Sequence, residues 1–135
     1  MYLLDTCVLS EGMRAVPNSD VDGWIKAQPS RVLFCSAVSA GEIRYGIDLL
    51  PSGAKRVRLE QWFEEAITVG LSGRVLAFDI DVAKRWGQLR AMHRSVATVD
   101  SQIGATALVH SLTVVTRNVK DFAFEGLKVF NPWRS

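Results

Sequence analysis

Short apolar runs alternate with helical stretches along this chain, and that alternation strongly limits how it can fold. Strands are predicted near residues 2–6, 31–36, 74–78 and 112–116. Stretches with helical spacing are predicted near residues 19–28, 38–50, 55–71, 80–95 and 99–110. Parallel strands need long crossover connections, usually helical ones. The pattern therefore predicts an α/β fold around a mostly parallel sheet, with right-handed crossovers.

The length of 135 residues suits one hydrophobic core, so residues 1–135 are predicted to form a single domain. A composition of 48% hydrophobic and 22% charged residues is typical of a globular protein and excludes general disorder. We find no apolar stretch near the roughly 20 residues of a membrane span and no secretory signal pattern. No membrane association is expected, and a cytoplasmic location is the default. The net charge of +2 does not by itself indicate nucleic-acid binding.

Two cysteines, Cys7 and Cys35, cannot make a disulfide framework. With only two histidines beside them, they also lack the spacing of a zinc finger or zinc ribbon. We expect both to be reduced, largely buried thiols that do not form a bridge in a reducing compartment.

Three carboxylates stand where such a fold gathers its strand ends. Asp5 closes the apolar run Tyr2–Leu4 and is interpreted as the last residue of the first strand. Glu42 follows the second predicted strand by about two helical turns, and Asp100 precedes the helix that leads to the last strand. Helices that follow strands begin near the carboxyl edge of a parallel sheet, where ligands bind. The pattern therefore suggests a divalent-metal site.

Each acid also has a structural interpretation. Asp5 and Asp100 could instead cap the helices that follow them, since Asp is a preferred N-cap residue. Glu42 stands between the apolar residues Val38 and Ile43, in a segment with few other charges. We expect it to be buried, where an unpaired carboxylate is costly unless a cation or hydrogen bonds compensate.

A polar segment follows the last predicted strand and reaches the same edge of the sheet. It contains Asn118 and Asp121, either of which could complete the site. Either could equally be a turn residue.

Four blocks of this sequence resemble the PIN-domain family, and within it the toxins of VapC and FitB type. The similarity runs over essentially the whole chain, and the blocks occur in the family's order. It implies a PIN-like three-layer α/β/α fold with a mostly parallel central sheet of four or five strands. In chain order the blocks are residues 3–6, 36–47, 100–107 and 115–122.

The resemblance implies an endoribonuclease that depends on Mg²⁺ or Mn²⁺ and is neutralised by a cognate antitoxin of the VapB or FitA type. RNA, and transfer RNA in particular, is the implied substrate, and a homodimer is the implied assembly. The family's three acidic positions correspond to Asp5, Glu42 and Asp100. Its fourth polar or acidic position corresponds to Asn118 or Asp121.

On this basis Asp5 and Asp100 are expected to be the main metal ligands, with Glu42 acting through water or a second ion and Asp121 as a further ligand. Thr6 and Asn118 are expected to orient these groups. Arg44 and Arg117 are the candidates for contacting RNA. An apolar groove for the antitoxin is sought among six large residues, although most could instead belong to the core. These are Trp24, Tyr45, Ile47, Leu50, Trp62 and Phe63.

One position departs from the family pattern. Many relatives carry Asn or Asp where this chain has Cys7, and a thiol is a weak hydrogen-bond donor and acceptor. The alternative function is therefore a catalytically weak or inactive PIN-like scaffold that binds antitoxin or RNA without cleavage. A phospho-receiver domain fits poorly, because it has paired acids after its first strand and a lysine after its last.

Overall fold

A parallel sheet forms the centre of the computed structural model, which describes residues 1–134. The strands are β1 (Tyr2–Leu4), β2 (Leu33–Ser36), β3 (Val75–Leu76), β4 (Thr113–Val115) and β5 (Val129–Phe130). They lie in the order β3-β2-β1-β4-β5, and every neighbouring pair is parallel. The last strand is not predicted from the sequence, because its two residues stand between Lys128 and Asn131 and not in a longer apolar run.

Helices connect the strands and cover both faces of the sheet. They are α1 (Thr6–Glu11), α2 (Ser19–Ala27), α3 (Ala37–Asp48), α4 (Ala54–Phe63), α5 (Ile80–Met92) and α6 (Thr98–His110). Short 3₁₀ segments span Ser30–Val32 and Val119–Phe122, and a π-helical segment, Glu64–Val69, continues α4. The sequence does not predict α1, whose six residues are too few to show a helical period. No helix within residues 1–134 is long and apolar enough to cross a membrane.

Two apolar layers hold the fold together, one on each face of the sheet. Successive side chains of a strand point to opposite faces. Leu4 and Val115 accordingly pack with residues of α1 to α4, whereas Leu3 and Val114 pack with α5 and α6. The three-layer α/β/α architecture predicted from the resemblance is confirmed.

The direction of strand addition reverses at β1, which has β2 on one side and β4 on the other. Leu4 lies opposite Val115 in the β1–β4 register, so the residues that follow these strands leave the sheet side by side. The backbone N–H of Asp5 donates to the Val115 carbonyl oxygen at 2.9 Å. Ligands of open α/β sheets bind at such a reversal, outside the carboxyl ends of the strands.

Candidate functional site

An open cleft of about 540 Å³ lies at this carboxyl edge. Its walls come from the start of α1, the second turn of α3, the first turn of α6 and the segment after β4. The three principal acids of the sequence prediction all line it. The lining residues are Asp5, Thr6, Cys7, Ser10, Glu42, Ala97, Thr98, Val99, Asp100 and Asn118.

Asp5 serves both as the N-cap of α1 and as a wall of the cleft. Its Oδ1 accepts a hydrogen bond from the Thr6 backbone N–H at 2.8 Å, and its Oδ2 accepts one from Thr116 Oγ1 at 2.8 Å. Strand β1 ends at Leu4, one residue earlier than predicted, because Asp5 already caps the helix. The capping interpretation is therefore correct for Asp5, and it does not remove the residue from the cleft.

Glu42 is exposed, so the expectation that it is buried was wrong. The buried stripe of α3 consists of Ser39, Ile43 and Ile47, and Glu42 lies beside that stripe. Its Oε1 accepts a hydrogen bond from Thr6 Oγ1 at 2.8 Å. Desolvation therefore gives no reason to assign a cation to Glu42. Its place on the wall of the cleft keeps it in the site.

Asp100 lies in the first turn of α6, whose N-cap is Ala97, so it does not cap the helix. Burial, followed by the negative charges of Asp5, Asp121 and Glu42, raises the pKa of Asp100 from 3.8 to about 6. Four carboxylates that are distant in sequence thus act on one another through space. A bound cation would relieve this repulsion.

The two candidates for the fourth position occupy different places. Asn118 lines the cleft and donates its backbone N–H to Thr116 Oγ1 at 3.0 Å. Asp121 lies in the 3₁₀ segment and contributes to the raised pKa of Asp100 without lining the cleft itself. Helix α6 packs closely against the segment that follows β4: a Cβ at Gly104 of α6 would lie only 2.6 Å from the Phe124 ring.

Thr116 is a site residue that the sequence analysis missed. It is fully buried and bridges the Asp5 carboxylate and the Asn118 backbone N–H. The sequence signal that could have found it is a hydroxyl residue directly after β4, at the same level as the acid directly after β1. Its contact with Asp5 depends on the pairing of those strands.

Cys7 contacts the same pair of groups. Its Sγ donates weakly to Asp5 Oδ2 at 3.4 Å and lies 3.6 Å from Thr116 Oγ1. Burial raises the pKa of the Cys7 thiol, and burial raises that of Cys35 to about 11. Both cysteines are free, as expected, although Cys7 is only half-buried.

The donor set of the cleft fits a hard divalent cation. Within residues 1–134, the salt bridges involve other acids than Asp5, Glu42, Asp100 and Asp121. The described side chains include no group of three or more His, Cys, Asp or Glu placed so that together they could hold a metal ion. A cation would therefore be held by few carboxylates and would keep several waters, the coordination that Mg²⁺ prefers.

Arg44 and Arg117, the candidates for RNA contact, have different surroundings. The Arg44 guanidinium pairs with Asp48 and Glu60, at 3.3 Å in each case. Arg117 is exposed and lies over the Trp133 ring, with 5.5 Å between its guanidinium carbon and the ring centroid. Arg117 directly precedes the cleft residue Asn118.

Only some of the six large residues that were candidates for the antitoxin groove lie at an apolar groove. Ile47 was wrongly included, since it is fully buried, whereas Tyr45 is 68% exposed. Trp62 does border an apolar groove of about 200 Å³ between α1, α2 and the end of α4. Other residues that line this groove are Leu9, Pro17, Ile25, Ala66 and Ile67.

Comparison with known proteins extends this description. The sequence model of the PIN domain family matches residues 2–123. The chain is 36% identical to the VapC ribonuclease Y4jK of Sinorhizobium fredii, over 98% of each chain. It is 39% identical to the toxin FitB of Neisseria gonorrhoeae, over 98% of this chain and 99% of that one. Among solved structures it is similar to FitAcB from Neisseria gonorrhoeae, with a TM-score of 0.92, 38% identity and full coverage of both chains.

Proposed function

This chain belongs to the PIN-domain family, in its VapC and FitB group, and we propose that it is a metal-dependent endoribonuclease toxin acting in the cytoplasm. The observation that carries the proposal is the meeting of Asp5, Glu42 and Asp100 in one cleft at the carboxyl edge of the sheet. The name of the ribonuclease relative supports RNA as substrate. The VapC resemblance favours transfer RNA.

Asp5 and Asp100 are proposed to be the main ligands of Mg²⁺ or Mn²⁺. Glu42 would act through a water molecule or a second ion, and Asp121 would be a further ligand. A divalent ion bound there would polarise the phosphodiester, lower the pKa of an attacking water and stabilise charge on the leaving oxygen. The chain's own contribution is to hold the carboxylates in place. Asp5 receives hydrogen bonds from Thr6 and Thr116, which fix both of its oxygens.

The proposed chemistry does not require a histidine base. Of the two histidines, His93 packs edge-to-face against Phe124 with 5.1 Å between ring centroids. His110 lies in the last turn of α6, at the opposite end of that helix from Asp100.

An antitoxin of the VapB or FitA type is proposed to neutralise the enzyme. The match to FitB, alone and in the FitAcB structure, supports such a partner. An arginine or lysine of the antitoxin, placed among the carboxylates, would take the position of the metal. Antitoxin binding should then weaken as Mg²⁺ is raised, and an affinity independent of Mg²⁺ would contradict this part. A homodimer is proposed from the resemblance.

Cleavage of a labelled bacterial transfer-RNA pool by antitoxin-free protein tests the proposal, with Mg²⁺, with Mn²⁺ and with chelator. The variants are Asp5→Asn and Asp100→Asn. Asp81→Asn is the matched control, since Asp81 occupies the first turn of α5 as Asp100 does that of α6, outside the cleft. We expect the parent to produce discrete fragments when metal is present and none in chelator. Asp5→Asn and Asp100→Asn should produce no fragments, whereas Asp81→Asn should cleave like the parent.

Fragments that persist in chelator, or with folded Asp100→Asn protein, would contradict a metal-dependent nuclease.

The alternative, a scaffold that binds antitoxin or RNA without cutting, is favoured by one observation. Cys7 offers Asp5 only a weak donor, at 3.4 Å. Folded parent protein that binds its antitoxin but yields no fragments with either metal would support the scaffold.

A further inference from the structure

We propose that Thr116 is a positioning residue that sets the orientation of the Asp5 carboxylate and thereby controls metal binding. The inference rests on the proposed function and deepens it. Thr116 is fully buried directly after β4, and its Oγ1 lies 2.8 Å from Asp5 Oδ2. Neither the sequence pattern nor the resemblance singled it out.

The direction of the hydrogen bond follows from its neighbours. The backbone N–H of Asn118 lies 3.0 Å from Thr116 Oγ1 and can only donate. A hydroxyl group has one hydrogen and two lone pairs, so Thr116 accepts from Asn118 and keeps its hydrogen for Asp5. Within residues 1–134 no buried side-chain nitrogen or oxygen lacks a partner, which agrees with this assignment.

Two donors on separate elements then fix the plane of the Asp5 carboxylate. The Thr6 backbone N–H, at the start of α1, binds Oδ1, while Thr116, at the end of β4, binds Oδ2. The terminal torsion of an Asp side chain is broad when nothing restrains it. Rotation about that torsion would break one of these bonds, so removal of the Thr116 hydroxyl leaves Oδ2 with only the weak Cys7 thiol donor and lets the carboxylate turn about the Thr6 N–H.

The Cys7 thiol cannot replace Thr116. Its Sγ also approaches Asp5 Oδ2, at 3.4 Å, but a thiol is a weak donor. Thr116 additionally restrains Asn118, which lines the cleft. One buried hydroxyl therefore links the acid after β1 to the polar segment after β4.

Thr116→Val tests the inference because it removes the hydroxyl group and keeps the shape of the side chain. Thr116→Ser is the rescue variant, since it restores the hydroxyl. Thr106→Val is the matched control: Thr106 is also fully buried, and its hydroxyl donates to the Gln102 carbonyl oxygen at 2.8 Å within α6. Both valine variants lose one buried hydroxyl group.

The first measurement is calorimetric titration with Mn²⁺ alone, on protein whose cooperative thermal unfolding shows that it is folded. Thr116→Val is expected to bind Mn²⁺ roughly 10- to 100-fold more weakly than the parent, the usual effect of losing a partner of a ligating side chain. Thr116→Ser is expected to recover most of the affinity, and Thr106→Val to keep all of it. Should Thr116→Val not fold, Thr116→Cys keeps a weak donor and is expected to bind Mn²⁺ less tightly than Thr116→Ser.

The second measurement is RNA cleavage, where Thr116→Val should lower kcat at saturating metal while KM for RNA stays the same. Mn²⁺ binding by Thr116→Val as tight as that of Thr106→Val, or no recovery in Thr116→Ser, would overturn the inference. So would a parent protein that does not bind Mn²⁺. A parent that binds Mn²⁺ but does not cleave RNA would instead overturn the proposed function, and the titrations would still decide the role of Thr116.

Discussion

Thr6 donates its hydroxyl hydrogen to Glu42 Oε1 across 2.8 Å and so links the first residue of α1 to the second turn of α3. The buried hydroxyl of Ser39 lies 3.0 Å from the same Thr6 oxygen. Among residues 1–134, no other side-chain hydrogen bond or salt bridge holds the Glu42 carboxylate. Thr6 therefore restrains an acid that the helix leaves exposed.

Thr6→Val is expected to lower the rate of RNA cleavage by about 5-fold, because one hydrogen bond of about 1 kcal/mol is lost. Thr6→Ser should cleave like the parent, since serine retains the hydroxyl group. Rates are measured at saturating Mg²⁺. Equal rates for parent and Thr6→Val would show that this hydrogen bond does not matter for Glu42.

The raised pKa of Asp100 predicts how pH affects the metal-free protein. Its pKa is about 6 in the folded chain against an ordinary value of 3.8, so the folded state holds the proton more tightly than the unfolded state. The resulting stabilisation is complete below pH 3.8 and is lost as pH rises through about 6. Asp100→Asn removes this titration and should be the more stable protein above pH 6 in chelator.

Thermal unfolding of parent and Asp100→Asn across this pH range, in chelator, provides the measurement. The difference between their unfolding temperatures should be small near pH 3.8 and should favour Asp100→Asn increasingly up to about pH 6. Mg²⁺ should raise the unfolding temperature of the parent, because it binds the native state only. A difference that does not change with pH would show that neither burial nor the neighbouring charges raise the pKa of Asp100 in the folded chain.

Arg117→Ala is expected to raise KM for RNA by about 5-fold, since an exposed guanidinium on the residue next to the cleft residue Asn118 would contribute about 1 kcal/mol to binding. Arg117→Lys should recover only part of this, because lysine keeps the charge but not the planar group that lies over Trp133. Steady-state cleavage kinetics provide the measurement, with Mn²⁺ affinity as the unchanged reference.

Arg44→Ala is the comparison variant, and its effect on KM should be smaller. Its guanidinium is already paired with Asp48 and Glu60. A larger effect for Arg44→Ala than for Arg117→Ala would assign RNA contact to the surface of α3 and α4 instead.

Cys7→Ser should cleave RNA at least as fast as the parent. A hydroxyl group is a stronger donor than a thiol and would approach Asp5 Oδ2 from the same position, where the sulfur now lies at 3.4 Å. Cys7→Ala removes the contact and serves as the control. If the serine variant were slower than the alanine variant, the thiol itself would have a function that a hydroxyl cannot supply.

The central fold could be predicted from the sequence because buried parallel strands read as continuous apolar runs. Those runs located β1 to β4, and the positions of Asp5 at the end of β1 and of Asp100 at the start of the helix before β4 followed. The six-residue α1 was too short to show a helical period, and the two-residue β5, unlike the equally short β3 in the run Val75–Phe78, stands in no longer apolar run. The order of strands, with β1 between β2 and β4, is likewise not contained in any local pattern.

The errors at the site have the same physical origin. Glu42 lies between apolar residues in sequence, but the buried stripe of α3 includes the polar Ser39, so apolar spacing alone gave the wrong phase of the helix. Thr116 was missed because its role depends on the register that places β4 beside β1. Contacts across a sheet determine such roles, and one strand's own residues do not reveal them.

The hydrogen bond between Asp5 and Thr116 joins residues that are 111 positions apart in the chain. A growing polypeptide presents Asp5 early in synthesis, but the partner that orients it arrives only when β4 has been made and has paired with β1. Contacts of such long sequence separation form late, after the cost of closing the chain between them has been met. Premature termination before β4 would therefore yield fragments in which Asp5 has no Thr116 to orient it.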